Sequence, residues 1–244
     1  MEVTLFAEKL FSIGSLPVTN TLVTTLITSC LLTIFAIAVS KNISPIPGKI
    51  QSLVEIVTET IFSTIENLSD KRRATRFFPI AATLFIFIIV ANYLGLLPGF
   101  NTIGIFDHHG NQTTFVPIFR SATSDLNVTL ALALISVGMT HYYSVTAIGI
   151  VNYLKRYFSF NPVNLFVGLL EIIAELTKLL SLSFRLFGNI FAGETLLVTM
   201  SSLFAFVIPL PFMFLEIIVG FVQAAIFMML TLVFMAILTE KPAH

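Results

Sequence analysis

From Leu10 to Ser40 the chain carries no aspartate, glutamate, lysine or arginine. About 20 apolar residues, each rising roughly 1.5 Å, are enough to cross a bilayer as a helix. Stretches of this kind recur along the sequence. Across all 244 residues 56% are hydrophobic and 11% are charged, whereas an ordinary soluble domain carries about 25% charged residues. There is too little polar side chain to coat a water-soluble domain of this length. Thirteen basic residues balance thirteen acidic ones, which excludes the basic surplus that nucleic-acid binding needs. The single cysteine, Cys30, lies inside an apolar run and excludes a disulfide within the chain. The composition describes a multispanning, all-α polytopic membrane protein that forms one membrane domain over residues 1–244.

The spans follow from the runs. The first covers residues 17–40. Residues 49–68 place Glu55, Glu59 and Glu66 on one side of a helix, with Leu53, Ile56, Val57, Ile61 and Ile65 on the other. A helix so clearly two-sided carries too much charge to span and reads as an interfacial helix. A second span, 77–97, follows the basic run KRRATR and ends at Pro98-Gly99. A polar connection over 99–122 leads to a third span, 127–150, which Ser124 or Asp125 can cap. After a short aromatic and basic segment, helical character runs from 162 to 206, and Pro209 and Pro211 break it. The last span is 212–239, so the reading is five membrane helices plus one interfacial helix.

Orientation follows lysine and arginine. Lys41, Lys49, Lys71, Arg72, Arg73, Arg76, Lys155, Arg156 and Lys241 fall on one side, against Lys9 and Arg120 on the other. Nine against two puts the N-terminus outside and the C-terminus in the cytoplasm. The KRRATR run reads as a topological anchor at the headgroups. The N-terminal MEVTLFAEKL has no basic region of the secretory kind.

Residues 162–206 measure on the order of 65 Å as one helix, against a hydrocarbon core of about 30 Å. No proline interrupts them, so the helix either breaks or lies tilted by roughly 60°, far beyond the usual tilt of about 20°. With the last helix it makes a long, strongly tilted hairpin, and so steep a tilt needs an unusual partner surface.

The polar residues of this hairpin are ordered. Glu171, Glu175, Lys178, Leu182, Arg185 and Asn189 step by three or four and mark one helix face. With the turn centred near Ala205, Glu194 and Glu216 each lie eleven residues from it and share a depth. Arg185 and Gln223, at twenty and eighteen residues, share another. The spacing predicts two polar levels inside the membrane. An arginine at mid-span costs at least about 2.5–3.5 kcal/mol and cannot shed its proton. It either meets a passing carboxylate as a fixed charge or is paired structurally with Glu194 or Glu216. Those two glutamates are proton-path candidates, or they share a proton and join the two helices.

Four segments carry a family resemblance. LLSLSFRLFGNIFAGE (Leu179 to Glu194) closely resembles the arginine motif of subunit a of F-type ATP synthases. ANYLGLLPG (Ala91 to Gly99), SATSDLNVTLALAL (Ser121 to Leu134) and QAAIFMMLT (Gln223 to Thr231) are similar to that family's asparagine-containing helix end, its next helix start and its C-terminal glutamine motif. The resemblance implies a proton-translocating stator subunit of a rotary ATP synthase that catalyses nothing alone. Its tilted hairpin would face a rotating ring of c subunits, each bearing a membrane carboxylate, with b-type peripheral-stalk subunits and lipid as further partners. Two offset half-channels would serve the ring, with H⁺ as the ion and Na⁺ as an option. Arg185 would hold the deprotonated ring carboxylate and block leakage, and Asn189 and Gln223 would orient it. Glu194 and Glu216 match the outer half-channel, with Asn92 and Asp125 near its entrance, or Asp125 does no more than cap a helix. Glu171 and Glu175 suit the cytoplasmic half-channel, or form an interfacial pair with Lys178. Several relatives carry aspartate where this chain has Gly95, which thins the outer lining. The resemblance implies a bacterial inner membrane, or an organelle inner membrane as the alternative, without cofactor or metal.

The remaining signals are weaker. His108 and His109 read as loop residues, since two adjacent histidines without further ligands rarely hold a metal. His141 reads as polar packing within a helix, with a proton-linked role as the alternative. Two rival functions fit the composition. A self-contained ion-coupled transporter predicts inverted repeats and broken helices, and the sequence has neither. A structural anchor predicts that Arg185 and the glutamates are dispensable.

Overall fold

The computed structural model describes residues 7–13, 16–97, 99–100, 103–109, 112–157, 162–203 and 208–240. Two short antiparallel hairpins occupy segments that the sequence reads as connections. The first pairs β1 (Lys9–Ile13) with β2 (Leu16–Thr19), and the second pairs β3 (Gly104–His109) with β4 (Gln112–Pro117). Thr, Val, Ile and Phe give β3 and β4 their strand character, a local signal that lies below the hydropathy scale used for spans.

The helices are α1 (Asn20–Lys41), α2 (Lys49–Leu68), α3 (Lys71–Gly95), α4 (Leu126–Ile148), α5 (Ile150–Tyr157), α6 (Pro162–Leu203) and α7 (Pro209–Thr239). Four of them, α1, α3, α4 and α7, are long and apolar enough to cross a membrane. The chain is an all-α, multi-pass membrane protein in character, with the two hairpins as its only strands among the described residues. Helix starts follow capping chemistry. The Thr19 side chain accepts the Leu22 N–H at 3.4 Å, and Asp125 Oδ1 accepts the Asn127 N–H at 2.9 Å, satisfying amides that have no intrahelical partner.

Three boundaries differ from the sequence reading. The basic run lies inside α3, six residues before the expected start of the span at Phe77, because lysine and arginine are good helix formers. Pro209 and Pro211 lie within the first turn of α7 rather than in a break before it, since a first-turn proline lacks only an N–H that would have no partner anyway. The segment after α4 forms the separate helix α5. The long helix does not break: α6 runs for 42 residues. Residues 204–207, around the expected turn at Ala205, lie outside the described residues.

The chain forms two compact units. The first draws on Met1–Pro45, Ile86–Thr129 and Phe184–Ala225, the second on Ile46–Phe85, Leu130–Ser183 and Ile226–His244. Their cores differ in kind. In the first, α1 turns Asn20, Thr21, Thr24 and Thr28 inward and leaves Leu26, Ile34 and Ile37 exposed. A helix that hides threonines and shows leucines is suited to hydrocarbon outside and polar contacts inside. In the second, Ile61, Ile65, Phe77, Leu84, Phe227, Leu232 and Met235 make an apolar core. Ser136 and Ser144 of α4 bridge to Thr231 Oγ1 at 2.7 Å and to the Leu238 carbonyl at 2.6 Å. The C-terminal half of α2 is seated there by Ile61 and Ile65, while Glu55, Glu59 and Glu66 stay exposed.

Cys30 lies on the exposed, apolar side of α1. In intact membranes it is expected to resist a charged maleimide and to react fully after denaturation in detergent. Fast labelling in sealed vesicles would move this face of α1 out of hydrocarbon.

Candidate functional site

The buried polar residues of the first unit converge on one loop. Between β4 and α4 the chain passes through Arg120 and Ser121 into a single 3-10 turn, Ala122–Ser124. The inward polar face of α1 grips this loop: Thr21 Oγ1 donates to Asp125 Oδ2 at 2.7 Å, and the Arg120 N–H donates to Thr24 Oγ1 at 3.4 Å. Asp125 therefore does two jobs, capping α4 with one oxygen and holding α1 with the other.

The loop in turn holds Glu194 of α6. Arg120 Nε lies 3.4 Å from Glu194 Oε2, and the Ser121 N–H donates to Glu194 Oε1 at 3.3 Å. Their side chains are 7% and 10% exposed, so the pair is desolvated. Arg120 Nε also donates to Ser124 Oγ at 3.1 Å, and its guanidinium lies over the Phe191 ring at 6.0 Å. Asn92 of α3 accepts from Thr123 Oγ1 at 2.6 Å and donates to the Gly220 carbonyl of α7 at 3.2 Å. A cavity of about 60 Å³, lined by Asn92, Ser121, Glu194 and Glu216 among others, lies between these groups, with room for a few waters among polar partners.

Glu216 of α7 is buried against α6 where Gly193 leaves space. Any Cβ at residue 193 would coincide with the Glu216 carboxylate, so only glycine admits this contact. The shared level of Glu194 and Glu216 expected from residue counting is present. Gly95 shows the same economy: a Cβ there would lie 2.6 Å from Ser121 Cβ. Ser121 fills the space beside Gly95.

A second polar level is present in the same unit. Asn189 Nδ2 donates to Gln223 Oε1 at 2.7 Å. Gln223 is buried on α7, whereas Arg185, one helical turn before Asn189, is exposed on α6 beside exposed Phe184 and buried Leu186.

The second unit holds its own polar group. Arg156 Nε donates to Glu171 Oε1 at 2.6 Å. Glu175 accepts a hydrogen bond from the Tyr157 hydroxyl, and its Oε2 lies 3.4 Å from His141 Nε2. The other ring nitrogen of His141 lies 2.8 Å from the Tyr153 hydroxyl. Burial first, then the hydrogen bond with Glu175, pushes the Tyr157 phenol far above its ordinary value, so it stays protonated as a donor. Lys178 lies 4.5 Å over the Phe234 ring, while the two glutamates find these other partners.

Of the residues singled out from sequence, Asn92, Asp125, Glu194 and Glu216 gather around the loop of the first unit, Arg185, Asn189 and Gln223 form its second level, and Glu171 and Glu175 belong to the second unit. Sequence reasoning missed Arg120, assigned only to the outer side, and Tyr157. It gave His141 to packing, where the structure gives that ring two polar partners. An arginine flanked by Ser, Thr and Asp in a short inter-helix loop was the available signal for Arg120. Among the described residues no three histidine, cysteine, aspartate or glutamate side chains group as a metal would require. His108 and His109 belong to β3, and their side chains lie outside the described residues.

Comparison with known proteins extends the match beyond these residues. The family model described as ATP synthase A chain matches residues 21–236. The chain is 36% identical to ATP synthase subunit a 1 of Hahella chejuensis over 92% of its own length and 86% of that protein's. It is 34% identical to ATP synthase subunit a 2 of a Bradyrhizobium species, over 94% and 93%. With ATP synthase subunit a of Moorella thermoacetica it shares 29% identity over 93% and 94%.

Removing one partner of a buried ion pair costs about 3–5 kcal/mol, because the other charge is left uncompensated. Arg120→Gln is therefore expected to lower the thermal stability of the purified protein sharply. Adding Glu194→Gln should restore much of the loss. Thermal unfolding of the single and double variants checks this, and additive losses would mean that the two side chains are not coupled.

Proposed function

We propose that this chain, which belongs to the ATP synthase A chain family, is the stationary proton-translocating subunit in the membrane sector of a rotary ATP synthase. It works as a single membrane domain alongside a ring of carboxylate-bearing c subunits and b-type stalk subunits. It catalyses no reaction alone; ATP is made on other chains.

One observation carries this reading: Arg185 is an exposed guanidinium on the apolar surface of α6, next to the hydrogen-bonded Asn189 and Gln223. A permanent charge at membrane depth is costly to place, and an arginine that reaches the surface of its helix can meet a passing carboxylate there. Arginine suits the task because it stays charged whatever the local proton supply. It can hold a deprotonated ring carboxylate without donating a proton to it. Asn189 and Gln223, tied to each other, present a fixed polar edge beside it.

The polar cavity around Glu194 and Glu216 supplies the outer half-channel, with Asn92 and Asp125 toward its entrance. Glu194 is held by Arg120 and the Ser121 N–H, and Glu216 lies beside it with the cavity between. Two carboxyl groups lining one polar cavity offer successive sites for a proton on its way through. Glu171 and Glu175, with His141 and Tyr157, supply the cytoplasmic half-channel.

In this reading α6 and α7 form the tilted hairpin that follows the ring, α6 is the fifth membrane helix, and α2 lies at the interface. The N-terminus is outside and the C-terminus is in the cytoplasm of a bacterial inner membrane. One charge moving through 100 mV releases about 2.3 kcal/mol, so several ions serve each ATP and the barrier at Arg185 must not leak.

The decisive variant is Arg185→Ala, in inverted vesicles carrying the assembled complex. ATP-driven acidification of the lumen is expected to fall to background, and passive proton leak after removal of the catalytic head is expected to change. Normal pumping in a fully assembled variant would return Arg185 and its hairpin to a structural role.

A further inference from the structure

Three arginines near the start of α3 have no part in the ion path. Arg72, Arg73 and Arg76 line a cavity of about 720 Å³ in the second unit, closed by Tyr143 and Thr146 of α4 and by Thr239 and Glu240 at the end of α7. The sequence reading makes this run a general anchor at the headgroups, and the structure gives it a shaped site.

The donors and acceptors of this site are lopsided. Thr146 and Thr239 spend their hydroxyl hydrogens on carbonyls of their own helices, the first at 2.9 Å to Tyr143 O and the second at 2.7 Å to Met235 O. The donors left to face the cavity are the guanidiniums and the Tyr143 phenol. Arg73 is engaged on both sides, 3.6 Å from Asp70 and 3.9 Å from Glu240. Among the described residues neither Arg72 nor Arg76 has a carboxylate within ion-pair distance. They lie four residues apart, on one face of α3. Three guanidiniums against the single Glu240 carboxylate leave the lining with two net positive charges. Such a lining suits a group whose oxygens only accept and carry negative charge, and guanidinium forks match a phosphate in this way.

The floor identifies the carrier of that phosphate. Phe77, which also lines the cavity, is buried with its ring 5.6 Å from that of Tyr143 in an edge-on contact. The walls are the ends of α3, α4 and α7, three of the four helices apolar enough to cross a membrane. A cavity at the ends of such helices lies at headgroup depth, and its volume exceeds what a bare phosphate fills and falls in the range of small-molecule sites. We propose that this cavity binds the phosphodiester headgroup of an acidic phospholipid, with Arg72 and Arg76 on the phosphate oxygens and Tyr143 as the third donor.

The test uses the purified membrane complex, delipidated and re-equilibrated with an equal mixture of phosphatidylglycerol and phosphatidylcholine, with retained lipid counted by mass spectrometry. The wild-type complex should retain phosphatidylglycerol in preference. Arg72→Gln with Arg76→Gln should cut that retention at least about fivefold, the loss of two charge-assisted contacts. Lys41→Gln with Lys49→Gln, which removes two exposed charges elsewhere, should leave it unchanged. Should the double arginine variant fail to assemble, Tyr143→Phe provides the second readout, with an expected loss of about two- to threefold. Undiminished retention in the arginine variant, or an equal loss in the lysine variant, would overturn the site. Displacement of the lipid by millimolar inorganic phosphate would assign the cavity to a soluble phosphate and overturn the lipid as its ligand.

Discussion

A charge inside hydrocarbon has no water to turn to, and the arrangement of this chain follows from that constraint. Arginine cannot relieve the problem by losing its proton. A guanidinium buried away from water therefore needs partners within the chain. Arg120 has them: a carboxylate, a serine hydroxyl and an aromatic face surround it, and it is buried. Arg185 is exposed on α6. Two arginines of the same chemistry thus differ within one unit in how much of each reaches the surface.

The polar contacts around Glu194 make that difference possible. Glu194 is fixed by Arg120 and by a backbone amide, the loop supplying both is fixed by threonines of α1, and Asn92 ties α3 to the Gly220 carbonyl of α7. Every link is a hydrogen bond between elements far apart in sequence, and in a low-dielectric interior such links strengthen one another. The polarity of α1 follows: its threonines face the loop and its leucines face out. A soluble helix would be patterned the other way, so the usual rule that the apolar stripe faces the core misreads this one.

The long-period features were legible in the sequence. Runs of 20 or more apolar residues give the spans directly, and counting residues at a rise of about 1.5 Å each brings Glu194 to the level of Glu216; the same count pairs Gln223 with Arg185, whereas its hydrogen bond is to Asn189, one turn further on. The features that escaped are set by contact rather than periodicity. Nothing local to Arg120 says that its partner lies 74 positions away, as the structure shows. Nothing local to His141 announces Glu175 and Tyr153. The β3–β4 hairpin was hidden for a different reason: strands of six residues vanish within the windows that find membrane helices.

Glycine marks the place where helix packing and ion chemistry meet. At Gly193 the space a methyl group would take is occupied by a carboxylate from the facing helix. In membranes small residues bring helix backbones close; here the gain in proximity is used to bring in a charge. Among the described residues Glu216 has no cation within ion-pair distance, whereas Glu194, which lines the same cavity, is paired with Arg120. The two carboxyl groups of one cavity therefore sit in unlike surroundings, one held by a guanidinium and a backbone amide, the other received in the gap at Gly193. Arg120 makes that difference from a loop 74 positions away in sequence, so the contrast is built by the tertiary fold rather than by either helix.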